Sequence, residues 1–185
     1  MHNPAPGKVI CVFCGSSHGA DPRFADAARM LGRLIAERGG ALLFGGGDIG
    51  LMGETARAAR AAGASVIGVL PGFLRHLEPP MGSSEQLIDV PDFFERKKQM
   101  IARSDAFVIL PGGPGTMDEF FEILTAAQLK QHAKPIVLVN IGGFFDPLER
   151  LMDHFVQTGF AADSIRAHYR VVATPEDAIA LVMPA

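Results

Sequence analysis

Two short stretches hold the residues best able to do chemistry. The first, ILPGGPGTMDEFFEIL (109 to 124), reads as the end of an apolar strand, a glycine-rich turn and the opening of a helix. Bare backbone N–H groups in such a turn, together with the positive end of a helix dipole, favour an anion. Yet Asp118 and Glu119 stand where the helix opens, and no lysine follows the glycines as it does in a P-loop. At about 100° per residue, Phe120, Ile123, Leu124 and Ala127 form the apolar stripe of that helix. Asp118 falls nearly opposite the stripe and is expected to face away, solvated or capping the helix. Glu119 lies on the flank of the stripe, with Glu122 further round. Two readings of the acids stand side by side: a carboxylate reaching into a pocket, or two charges that complement the helix dipole.

The second stretch is PDFFERKKQMIARSD (91 to 105). Its apolar stripe runs through Phe93, Met100 and Ile101, with Lys97 inside it and Arg96 at its margin. Two adjacent cations on a core-facing surface need an anionic partner or a route to water along their aliphatic stems. Arg96 has the planar fork suited to phosphate or carboxylate and is the stronger candidate for a specific contact. Elsewhere, Cys11 and Cys14 form a CxxC, but KVICVF reads as a buried strand, so their side chains should point to opposite faces. A redox pair opens a helix instead, and a zinc site needs a second ligand pair. The six histidines are scattered without ligand spacing, so no metal site is expected.

These residues need a scaffold to bring them together. Continuous apolar runs at 9 to 13, 41 to 44, 65 to 70, 106 to 110, 135 to 140 and 170 to 173 fit parallel strands covered on both faces. Helical patterns separate most of them. DPRFADAARMLGRLIAERGG begins with an Asp-Pro cap and ends in glycines, and FDPLERLMDHFVQTG repeats the logic with Asp146 as N-cap, Pro147 at N1 and Glu149 at N3. The alternation predicts an α/β chain with a Rossmann-like, doubly wound parallel sheet in three layers. Residues 71 to 91 have the least regular pattern and read as a functional loop.

Ligands in such folds bind beyond the carboxyl ends of the strands. After the first strand comes CGSSHGAD with Ser16 and Ser17; after the second, GGGDIGLMGE with Gly45, Gly46, Gly47, Gly50 and Gly53; after the fourth, PGGPGT. Three small-residue turns on one sheet edge make a cradle of backbone donors, suited to a nucleotide or sugar phosphate. GGPGTMD lacks the third glycine of GxGxxG and nothing resembles GxxxxGK[ST], so a mononucleotide fits better than a dinucleotide or triphosphate.

A chain of 185 residues with 48% hydrophobic and 20% charged content can bury one substantial core, so a single domain over 1 to 185 is expected, its first seven residues flexible. Its net charge of −3 gives no general reason to bind nucleic acid or an anionic membrane. MHNPAPGK lacks the apolar segment of a signal peptide and no run approaches the roughly 20 apolar residues of a membrane span, so a cytoplasmic protein is expected.

CVFCGSS (11 to 17), GGGDIGLMG (45 to 53), ERKKQM (95 to 100) and PGGPGTMDE (111 to 119) together resemble the Lonely Guy family of cytokinin-activating phosphoribohydrolases, over about residues 8 to 180. The last segment matches that family's PGGxGTxxE. The resemblance implies hydrolysis of the N-glycosidic bond of a nucleoside 5′-monophosphate, giving an adenine-type base and ribose 5-phosphate, without a cofactor. Substrates with an isoprenoid group on N6 are preferred in the family, and AMP is commonly cleaved. Carried over, the family's essential arginine and glutamate fall on Arg96 and Glu119. Substrate contacts are expected from Ser16, Gly46, Glu78, Lys97, Gly112, Gly113, Gly115, Thr116 and Thr125. A homodimer with each site near the subunit boundary is implied too. Pro114, Phe94 and Ala126 replace a frequent tyrosine, histidine and tryptophan, departures that bear on the choice of base.

The chemistry gives both charges work. Breaking a ribose C–N bond builds positive charge on the sugar ring, which a carboxylate beside C1′ stabilises while orienting the attacking water. Glu119 would take that role, and Arg96 would hold the phosphate or ribose hydroxyls. Two other readings exist. One is a non-catalytic nucleotide or cofactor carrier on the same scaffold. The other is a lysine decarboxylase, the label such sequences often carry. That enzyme needs a Schiff-base lysine and a partner for the cofactor's pyridine nitrogen, and of lysines 8, 97, 98, 130 and 134 only Lys97 falls near the site.

Overall fold

The six apolar runs, joined by one further strand, form a seven-stranded, wholly parallel sheet in a computed structural model that describes residues 7 to 76 and 86 to 184. The strands are β1 (Val9–Phe13), β2 (Ala41–Phe44), β3 (Val66–Pro71), β4 (Gln86–Val90), β5 (Ala106–Ile109), β6 (Ile136–Val139) and β7 (Arg170–Val172), in the order β4-β3-β2-β1-β5-β6-β7. Between them run α1 (Pro22–Glu37), α2 (Gly50–Ala61), α3 (Phe93–Arg103), α4 (Pro114–Gln128) and α5 (Asp146–Gln157), with α6 (Pro175–Val182) after β7. The order reverses between β1 and β5, which pair in register with Cys11 opposite Phe107. Of the seven residues expected to be flexible, the first six lie outside the described residues.

Alternation along β1 divides the core. Ile10 and Val12 pack with Leu31 and Ile35 of α1 and Ala56 of α2, whereas Cys11 and Phe13 pack with Met100 of α3 and Phe120 of α4. This gives the three expected layers. It also separates the CxxC, since Cys11 belongs to one face of the sheet and Cys14 to the other.

Three local expectations are corrected. The span 71 to 91 contains β4, an edge strand whose side chains are mostly half-buried or exposed, so it lacks the continuous apolar run that marks the central strands. Asp146 is the first residue of α5 rather than its cap. Its carboxylate instead accepts from Asn140 Nδ2 at 2.8 Å, and Asn140 Oδ1 takes the Phe145 N–H at 2.7 Å, so the preceding asparagine does the tethering. Helix α4 begins at Pro114, four residues earlier than the acids suggest. Asp118 and Glu119 therefore sit in its second turn, beyond the reach where a carboxylate mainly complements the dipole.

α1 and α2 approach closely because Gly32 has no side chain; a Cβ there would lie 2.3 Å from the Thr55 carbonyl oxygen. Beside this contact Glu54 accepts from Arg29 Nη1 at 2.7 Å and from Arg57 Nη2 at 2.9 Å. The Arg29 hydrogen bond is the main reason its pKa falls from 4.5 to about 2. A carboxylate depressed in the folded state contributes stability above its unfolded pKa and loses it as pH falls through the folded value. Glu54→Gln should therefore cost up to about 1 kcal/mol near neutrality, and the gap from the parent should close between about pH 4.5 and 2. Urea unfolding across that range measures it.

Candidate active site

Three backbone turns meet where the strand order reverses, the place at which open parallel sheets bind ligands. The turn after β1 donates Gly15 N–H to the Pro111 carbonyl at 3.0 Å, tying it to the turn after β5. The same glycine's carbonyl accepts from Leu51 N–H at 3.0 Å, tying it to the first turn of α2. Such contacts leave no room for side chains. At Gly50, where φ is +53°, a Cβ would sit 2.3 Å from the Ser16 carbonyl carbon. At Gly112 a Cβ would lie 2.1 Å from Thr116 Oγ1 and 2.9 Å from Gly15 N. Neither could carry alanine without displacing the neighbouring turn.

The turn after β5 opens into α4 with Gly113 at the cap and Pro114 in the first turn. Proline has no N–H, so the donors at this end start with Gly115 and Thr116. A Cβ at Gly113 or Gly115 would meet nothing within 4 Å, so these two glycines border open space whereas Gly112 is packed. Thr116 is buried beneath the turn, and Glu119 follows on the pocket side, half-buried.

α3 supplies the cations, in the reverse of the expected arrangement. Arg96 is the buried member and Lys97 the marginal one. Asp92 fixes the start of the helix by accepting from Glu95 N–H at 2.8 Å. Arg96 then crosses to the end of β2, where Nη2 donates to the Gly45 carbonyl at 3.0 Å. A Cβ at Gly45 would lie 2.2 Å from that same nitrogen, so glycine is required for the arginine to lie there. Lys97 donates to Asp118 at 3.1 Å and pairs with Glu122. Burial alone would depress the Lys97 pKa, but hydrogen bonds to Glu122 and Asp118 outweigh it and raise the value above normal. Asp118 is thus exposed as expected, but it lies on the pocket rim bound to Lys97 rather than facing away.

The resulting pocket has a volume of about 280 Å³. It gathers Ser16, Arg96, Lys97, Gly113, Gly115, Thr116 and Glu119, with Gly112 shaping its floor through Thr116. Beneath it, burial holds the Cys11 thiol protonated, reinforced by the charge of Glu119 and opposed by that of Arg96. Two expected contacts are not brought in, and a third is not described. Gly46, with φ +84°, packs against Leu70 of β3. Thr125 opens onto a neighbouring groove with Phe121 and Leu129. Glu78 lies outside the described residues. Conversely, Cys14, Met52, Leu74 and Phe93 line the pocket without having been expected there. Phe93 was accessible to sequence reasoning, standing three residues before Arg96 and hence on the same helix face. Leu74 was not, because it lies in the segment after β3 that carries no periodic signal.

The family pattern described as possible lysine decarboxylase matches residues 52–182. A probable cytokinin riboside 5′-monophosphate phosphoribohydrolase of Oryza sativa subsp. japonica is 43% identical over 175 residues, covering 95% of this chain and 76% of the relative. A cytokinin riboside 5′-monophosphate phosphoribohydrolase of Arabidopsis thaliana is 39% identical, covering 95% of this chain and 79% of the relative. Among solved structures, the molybdenum cofactor carrier protein of Chlamydomonas reinhardtii superposes with a TM-score of 0.73 at 28% identity, over 95% of this chain and 96% of that one. By the match to its pattern and by identity over most of its length, the chain belongs to the family of cytokinin riboside 5′-monophosphate phosphoribohydrolases, whose family-level description is possible lysine decarboxylase.

Proposed function

We propose that this chain hydrolyses the N-glycosidic bond of adenosine 5′-monophosphates, N6-modified or plain, releasing the free base and ribose 5-phosphate. The observation that carries this reading is the meeting of Arg96 and Glu119 in one pocket beside an open glycine turn. The phosphate would bind the free N–H groups at the start of α4, where an anion is favoured and no acid stands in the first turn. That leaves C1′ further into the pocket, within the field of Glu119. As the C–N bond breaks, the ribose becomes cationic, and a preorganised carboxylate stabilises it and orients water. Arg96, fixed by the Gly45 carbonyl, anchors the ribose or phosphate and balances Glu119. Met52, Leu74 and Phe93 offer an apolar wall for the base, and Phe73 stacks edge-on against Phe93 at 5.2 Å. Lys97 is held by two carboxylates, so its part is to brace Asp118 at the rim more than to grip phosphate.

The carrier reading has less support: the identity to the hydrolases is higher, and the Arg96 and Glu119 pair has no evident use in a protein that only holds its ligand. A decarboxylase is weaker still, since Lys97, the lysine lining this pocket, is committed to Asp118 and Glu122. A cytoplasmic location goes with this reading, and two buried cysteines that form no disulfide agree with it; no helix among the described residues is long and apolar enough to cross a membrane. It also carries a homodimer. Phe94 is 82% exposed and Leu129 64% exposed. The groove between α3 and α4 that contains Ile101, Phe121 and Leu129 adjoins the pocket, which suits an interface beside the site.

Incubation with AMP and with N6-isopentenyl-AMP should release free base and ribose 5-phosphate, followed by chromatography. Glu119→Gln should lower kcat by about 100-fold or more while the affinity for AMP changes by less than about threefold. Binding without release by the parent would favour the carrier. Gly115→Ala should raise Tm slightly, because alanine is the better helix former by about 1 kcal/mol, and should raise KM by about tenfold by crowding the phosphate. Sedimentation should find a dimer that Leu129→Glu converts to monomer.

A further inference from the structure

A cavity of about 600 Å³, larger than the candidate active site, lies at the opposite end of the sheet, where β6 and β7 begin. Its walls carry Lys130, Lys134 and Arg170, with His132 and His168 between them, and no Asp or Glu among the described residues lines it. In a chain of net charge −3, three permanent cations around one cavity is a local excess. None of the three forms an ion pair with a carboxylate among the described residues. Lys134 Nζ donates to the Ile101 carbonyl at 2.5 Å, and Arg170 Nη1 donates to the Tyr169 carbonyl at 3.0 Å. These neutral acceptors orient the cations without cancelling their charge. His132 is a wall and not a fourth cation, because its Nε2 donates to the Ile123 carbonyl at 2.9 Å and its Nδ1 accepts from Lys134 N–H at 3.2 Å. Burial pushes its pKa down accordingly.

Backbone conformation points the same way. Lys130 has φ +58° and is the one described non-glycine residue with positive φ. It occupies the position just past the C-terminus of α4, with Lys130 N–H bonded to the Ala127 carbonyl and Gln131 N–H to the Ala126 carbonyl. Glycine is favoured at that position because any Cβ is strained there. Comparable ends of α1, α2 and α5 pass through Gly39, Gly63 and Gly159, all with positive φ. A strained lysine in place of the expected glycine, with its side chain on a cationic cavity, marks a position where charge outweighs local stability.

We infer that this cavity is a second anion site that takes an oligophosphate, either free or as the tail of a nucleotide. Three cations in one concave wall match a compact polyanion better than a single phosphate. The site is separated from the Arg96 and Glu119 pocket by the length of the strands, and the inference does not depend on the reaction proposed there.

Histidine resonances provide the test, because His132 and His168 line this cavity and no histidine among the described residues lines the candidate active site. Pyrophosphate, tripolyphosphate and ATP are each titrated into the full chain at fixed ionic strength, with proton NMR of the two rings as the readout. Both should shift and saturate with a midpoint below about 1 mM. Lys130→Gln and Arg170→Gln should each weaken binding by about tenfold. Lys130→Gly should weaken it equally while raising Tm, since relief of backbone strain and loss of the charge then act in opposite directions. ATP tighter than tripolyphosphate would identify a nucleotide, and the reverse a free oligophosphate. Shifts that stay linear to about 10 mM, or that survive all three substitutions unchanged, would overturn the inference.

Discussion

The site depends on backbone packed against backbone. At the point where strand order reverses, the turns after β1, β2 and β5 lie so close that Gly112 and Gly50 each stand where a methyl group would overlap a neighbouring turn. The glycines serve two distinct purposes in a single motif. Gly112 is packed and sets the height of Thr116, whereas Gly113 and Gly115 face open space and leave the helix end bare. An anion cradle needs both: a rigid floor, and donors that no side chain shields.

Arg96 follows from the same constraint. A buried guanidinium is costly unless its donors are satisfied, and Gly45 answers with a carbonyl at 3.0 Å and with no side chain in the way. The arginine is thereby fixed before any substrate arrives, which lowers the entropy that binding must remove. Lys97, one residue on, faces the rim and is neutralised by Asp118 and Glu122. Adjacent cations on one helix therefore have opposite fates: one is held within the site, and the other secures its border.

Much of this was legible in the sequence. The central strands announce themselves because both their faces are covered, and the alternation of Ile10, Cys11, Val12 and Phe13 between two core layers follows from the period of a strand. Arg96, Glu119 and the glycine turn could be grouped because parallel topology sends every strand end to one edge. Finer placement was harder. Which of Arg96 and Lys97 would be buried depends on the rotation of α3 against the sheet, and a 100° step per residue leaves two adjacent side chains nearly equivalent as candidates. β4 escaped because an edge strand is covered on fewer sides and needs no continuous apolar run. The start of α4 was misread because the acids looked like first-turn residues, and Pro114 was the better marker. Thr125 lies outside the pocket for a reason helical geometry supplies: it stands six residues beyond Glu119, about 240° further round the helix.

The central claim is that α4 addresses two parts of one bound nucleotide: the N–H groups at its start hold the phosphate, and Glu119 in its second turn faces the anomeric carbon. A crystal structure of the Glu119→Gln variant with AMP tests this most directly. The phosphate is expected on the N–H groups of Gly115 and Thr116, the base against Phe93 and Leu74, and C1′ adjacent to the introduced carboxamide. A nucleotide bound the other way round, with its base over the glycine turn and its phosphate on Lys97, would contradict it.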